Sequence, residues 1–161
     1  MSDFATAWRL SRSRFVEAVS GLNDEQLNWR MFPGSLTLGE MALHVAGVEV
    51  SFVSQLMRLS LDEPMQRLKL AATDGVVNDQ PFPYPLEQVT AGFVAQALES
   101  ARLLVEPAIE NPSQEIRSRE LVSALGPVIT GEGAFARLAF HPAYHQGQAH
   151  LIRTSPDFPT S

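Results

Sequence analysis

Leu38, Met41, Val45, Val48, Phe52, Leu56 and Leu59 recur at steps of three and four residues. That spacing lines them along one face of an α-helix, and so long an apolar face has to be covered by other elements. Thr37-Leu38-Gly39-Glu40 opens the stretch as a capping box, in which the Thr hydroxyl and the Glu carboxylate satisfy free backbone amides reciprocally. Three further stretches carry a helical period. Phe4, Ala7, Trp8, Phe15, Ala18 and Val19 mark the first, with Ser2 or Asp3 as its cap and Gly21 as its end. Arg9, Arg12 and Arg14 fall on its other faces and read as a solvated basic surface. A third stretch runs from Leu86 to about Ile109, through Val89, Phe93, Ala97 and Leu104, and Asn111-Pro112 closes it. The fourth follows Thr130, with Ala134, Leu138, His141, His145, Gln148 and Ile152 on its inward stripe. Pro142 interrupts this last helix. It donates no amide, so the carbonyl of Leu138 loses its helical partner and a kink is expected there.

The connections are less regular. Asn23 to Leu27 reads as one extra turn, and Asp62-Glu63-Pro64 starts a short helix through Leu70. From there to Pro85 the pattern is that of irregular chain. Residues 116–129 fit either a short helix or an extended strap.

A chain of 161 residues is the size of one ordinary domain and can bury a core without staples. Its formal net charge of −6 argues against a nucleic-acid surface. With no cysteine there is no disulfide, no thiolate ligand and no cysteine nucleophile. No basic patch followed by an apolar run opens the chain, and no stretch reaches about 18 apolar residues. The expectation is a cytoplasmic protein with no membrane attachment.

The chain holds 4 histidines, and two of them, His141 and His145, are four residues apart. On a helix that puts both rings on one face about one turn apart, within reach of a single ion. Imidazole suits zinc, nickel, copper and iron alike. His44 sits in the apolar stripe of the second helix, between Met41 and Val48. Alone it would read as a core histidine; the downstream pair makes it a candidate ligand. Glu40, one turn before it, has a capping role that already accounts for it. His150 is roughly half a turn out of phase with His141 at about 100° per residue, which excludes it from the site. Gly147 and Gln148 follow the pair, the first read as permitting close helix contact and the second as a hydrogen-bonding neighbour.

His44 together with His141-x-x-x-His145-x-Gly147-Gln148 resembles the DinB/YfiT-like family of metalloenzymes. The resemblance extends over nearly the whole chain in length and element order. It implies an all-α fold, a four-helix bundle with long crossover connections, occupying residues 1–161 as one domain. The stretch from Ser60 to Pro85 would then cross the length of the bundle, leaving the second and third helices parallel. It also implies that His44, His141 and His145 hold a divalent metal, with zinc, nickel or iron favoured, and that the protein is a homodimer.

Three neutral imidazoles leave an ion's charge uncancelled. With no convincing fourth ligand, the site keeps a position open for water or substrate. Such an ion lowers the pKa of a bound water or thiol and polarises a carbonyl. Relatives by this resemblance include transferases and isomerases that use bacillithiol, mycothiol or glutathione. The expected function is therefore transfer of a low-molecular-weight thiol to a small-molecule electrophile, with no residue nominated as general base. The alternatives are a metal-dependent hydrolase and a non-catalytic metal-binding stress protein; a fourth possibility is a bundle that keeps its histidines only as polar core residues.

Overall fold

A computed structural model describes residues 3–160. Four long helices dominate it: α1 (Asp3–Val19), α3 (Leu38–Met57), α5 (Ala91–Glu110) and α7 (Gly131–Arg153). Between them lie three short helices, α2 (Asp24–Asn28), α4 (Glu63–Leu70) and α6 (Gln114–Ser118). A hairpin of β1 (Glu120–Val122) and β2 (Val128–Thr130) follows α6, antiparallel with Leu121 opposite Ile129. The Ser2 cap expected for α1 lies outside the described residues.

Helix directions follow from which side chains meet. Phe4 stacks on Phe135 and Arg153 donates to the carbonyl of Ala18 (2.9 Å), so α1 and α7 run parallel. Arg9 pairs with Glu110 while Arg12 donates to the carbonyl of Leu98, so α1 and α5 run opposite ways. The apolar interior has two lobes. One gathers Phe15, Met41, Leu43, Val94 and Leu98; the other gathers Trp8, Val53, Leu56, Val105 and Phe135. The early residues of α3 and α5 thus share one lobe and their late residues the other, which makes these two helices parallel. Parallel neighbours need a connection that spans the bundle. Residues 58–90 supply it, with α4 laid against α3 on the way, as expected. The connection from α5 to α7 stays at one end of the bundle and holds α6 and the hairpin.

Local chemistry sets the boundaries. The capping box forms as read: Glu40 N–H donates to Thr37 Oγ1 (3.1 Å) and Thr37 N–H to Glu40 Oε2 (2.8 Å). α3 stops at Met57 because Arg58 turns left-handed, with φ 52°, so Leu59 is outside the helix and half exposed. The third long helix does not begin at Leu86. Leu86–Gln88 form a single 3₁₀ turn, Val89 leaves helical geometry, and Thr90 caps α5 by accepting from Phe93 N–H. Residues 120–130 settle as the hairpin, whose turn closes on Gly126 at φ 95°. Thr130 caps α7, and Gly131 is required by space: a Cβ there would lie 2.0 Å from the carbonyl oxygen of Ile116.

Gly47 is the second glycine that packing demands. A Cβ at this position would come within 2.5 Å of Leu68 O and 2.8 Å of Ala72 N, both backbone atoms at the end of α4. Gly47→Ala should therefore cost about 1–3 kcal/mol through overpacking, measured by denaturant unfolding. It should also push α4 away from α3, with the consequence for His44 given below.

The reading of Arg12 as part of a solvated face is overturned. Arg12 is buried, and its guanidinium donates to both oxygens of Glu49 (2.9 and 3.2 Å). Trp8 Nε1 donates to the same carboxylate (2.8 Å). Burial raises the Glu49 pKa, and Arg12 and Trp8 oppose that shift. Two long polar side chains thus complete each other inside the bundle, next to the layer that carries the histidines.

Candidate metal centre

α3 and α7 pack side by side, and the middle of each carries the candidate residues. His44 and His145 are buried and His141 is partly so. Both helices place their histidines on the stripe that the apolar period assigns inward: Met41 and Val48 flank His44, and Leu138 and Ile152 flank the pair on α7. The His141 Nε2 atom lies 3.1 Å from His44 Nε2 and 3.0 Å from His145 Nε2. All three ligand-type nitrogens fall within 4.8 Å of one another.

The outer nitrogens are tied. His44 Nδ1 donates to the carbonyl of Ala71 (2.9 Å), at the C-terminal cap of α4. His145 Nδ1 donates to Gln148 Oε1 (2.7 Å), and the Gln148 amide nitrogen in turn donates to Tyr144 Oη (3.1 Å). Tautomers assigned from these partners leave the Nε2 lone pairs of His44 and His145 aimed at the same point. The His141 Nε2 atom faces both. It can donate a proton to one of them, which leaves the lone pair of the other facing it without a donor.

Burial pushes the His141 pKa down to about 2, with its neighbours His145 and His44 adding to the effect. His145 is pushed down to about 4, again by burial first and then by His44. Burial lowers His44 as well. The cluster is therefore neutral at neutral pH, the state in which imidazole donates to a metal.

The residues fit a metal. Two nitrogens each roughly 2.0–2.1 Å from one tetrahedral zinc stand about 3.3 Å apart. The 3.1 and 3.0 Å separations fall just inside that value, so a slight opening of the rings admits an ion. Each tied Nδ1 also has the outer acceptor that metal-binding histidines use to fix ring orientation. Among the described residues no carboxylate joins the cluster. Glu40, one turn before His44, is held by Thr37 and by Arg30 (2.8 Å). His150 is exposed on the far side of α7, as its phase requires.

A cavity of about 340 Å³ opens beside the cluster, with His44 and His141 in its wall. Val48, Phe52, Ala72, Val77, Leu125 and Phe140 make most of the remaining surface apolar, and Arg137 and Ser51 are its polar members.

The chain matches the model of the mycothiol-S-transferase family over residues 4–157. The chain belongs to that family. Two solved structures share the fold. One is a conserved protein from Enterococcus faecalis, 14% identical, with a TM-score of 0.68 over 93% of this chain and 92% of that one. The other is a DinB-like protein from Bacillus cereus, 16% identical, with a TM-score of 0.65 over 98% and 95% of the two chains. A search of curated proteins returns no match.

Helical phase and spacing point to the three histidines that converge and to Gln148, which orients one of them. Nothing in residue type points to Ala71, which acts through its backbone carbonyl, and Arg137, one turn before His141 on the same stripe, carries no motif that sets it apart. Gly147 is a correction: nothing lies within 4 Å of where its Cβ would be, so it serves no close helix contact.

Proposed function

We propose that His44, His141 and His145 hold one divalent metal ion, and that the protein transfers a low-molecular-weight thiol to a small electrophile. The observation that carries this is the convergence of three imidazoles, two of them tethered through their outer nitrogens, beside a cavity with no carboxylate among the described residues of its wall. A divalent ion held there favours thiolate over thiol by stabilising the charge left when the proton departs. The histidines fix the position at which the sulfur meets its target, and Ala71 and Gln148 keep their rings aimed. The apolar wall excludes water from that position. Transfer joins the thiol sulfur to the electrophilic carbon, and the leaving group departs with its electron pair. The proton lost from the thiol balances it.

The chain has no sulfur nucleophile of its own, since it has no cysteine. The family match supports mycothiol as the first thiol to test, with bacillithiol and glutathione beside it. Zinc, nickel and iron are the ions this donor set suits. A homodimer, a cytoplasmic location and one domain over residues 1–161 belong to the same proposal. No helix among the described residues is long and apolar enough to cross a membrane, and exposed Leu10, Leu103 and Leu151 leave apolar surface for a second copy.

Activity should require both metal and an added thiol and should rank the thiols offered. A cobalt-substituted sample should develop a sulfur-to-metal charge-transfer band on thiol addition. Turnover of an ester with no thiol present would replace this reading with hydrolysis. Full metal occupancy without band or turnover would leave a binding protein.

A further inference from the structure

Arg137 has no hydrogen-bond or ion-pair partner among the described residues, although nine ion pairs occupy arginines elsewhere on the chain. It is half buried and lines the cavity beside the histidines. Among the described residues no Asp or Glu shares that wall. A guanidinium partly removed from water, among apolar side chains and without a counter-charge, is costly unless an anion meets it. Its position is informative too. Arg137 is four residues before His141 on α7, so it lies on the same stripe about 6 Å along the helix axis.

We infer that the cavity takes a ligand with an apolar body and one carboxylate, the carboxylate paired with Arg137 and the body against Val48, Phe52 and Phe140. If the three histidines are the reaction centre proposed above, this ligand is the electrophile. Its reacting atom then stands about one helix turn from its carboxylate. The planar guanidinium suits this task because it offers two parallel donors to the two oxygens of a carboxylate. The surrounding charge works the same way. Arg137 is the one Lys, Arg, Asp or Glu among the described residues of that wall, so in a chain of net charge −6 an anion entering the cavity meets a local positive charge.

The test uses 4-phenylbutyrate and its neutral amide, with binding followed by calorimetry and ligand-observed NMR. Both probes are offered to the metal-stripped protein and to the zinc-loaded protein. The carboxylate should bind at least about tenfold more tightly than the amide in both samples. Arg137→Gln should bring the carboxylate down to the amide's affinity and leave amide binding unchanged, which also shows that the variant is folded. Arg137→Lys should keep part of the preference. Equal binding of the two probes to the native protein overturns the inference, as does no binding of either at millimolar concentration. A preference seen only with zinc and kept in Arg137→Gln also overturns it, because the carboxylate would then be going to the ion. A chain that takes up no metal but keeps the Arg137-dependent preference would sink the metal reading and leave this one standing.

Discussion

The Glu49→Ala variant is expected to lose about 3–5 kcal/mol of stability, the usual cost of stranding one member of a buried ion pair. Removing the carboxylate takes the acceptor from both Arg12 and Trp8 at once. Arg12 would keep the carbonyl of Leu98 and the face of the Trp8 ring but no counter-charge, too little to compensate a buried guanidinium. Equilibrium unfolding in urea measures the loss. The pair itself need not be stabilising relative to apolar side chains of similar volume. Arg12→Met combined with Glu49→Leu should therefore recover part of the loss, the remainder being the buried Trp8 N–H left without its acceptor, while Glu49→Gln should fall between the native protein and Glu49→Ala. A Glu49→Ala variant as stable as the native protein would mean that the network is not formed.

A second large effect is expected at the histidines. His145→Ala should lower metal affinity by more than the 10–100-fold that typically follows loss of an outer hydrogen-bond partner. Gln148→Ala should fall within that roughly 10–100-fold range, since it frees the His145 ring without deleting a donor. His150→Ala should change nothing, because His150 is exposed and out of phase. Gly47→Ala belongs with Gln148→Ala. It displaces the end of α4, and with it the Ala71 carbonyl that holds His44. Competition with a chromophoric chelator ranks the four variants; a fall for His150→Ala equal to that for His145→Ala would refute the assignment.

Periodicity made much of this architecture legible. A stripe such as Leu38 to Leu56 needs a partner surface, and a 3.6-residue period says which residues face it. The same phase argument placed His44, His141 and His145 inward and His150 outward. What it could not supply was anything set by distant chain. Arg12 has the side chain of a surface residue, and only Glu49, 37 positions later, shows that it is buried. The signal available was on Glu49 itself, a lone acid between Val48 and Val50 in an otherwise apolar run. Leu86 and Val89 continue the helical phase of α5 yet lie before its start, because the Thr90 cap outranks that periodicity. Residues 120–130 gave two strands of three residues each, too short for a period of two to declare itself.

X-ray absorption at the zinc edge, on untagged protein loaded with one equivalent of zinc, tests the central claim most directly. The account predicts one ion per chain with three imidazole nitrogens at about 2.0–2.1 Å and one solvent oxygen completing the shell. His44→Ala should reduce the imidazole count by one. A shell of oxygen ligands without imidazole, or a native protein that fails to retain zinc against a weak chelator, would contradict it.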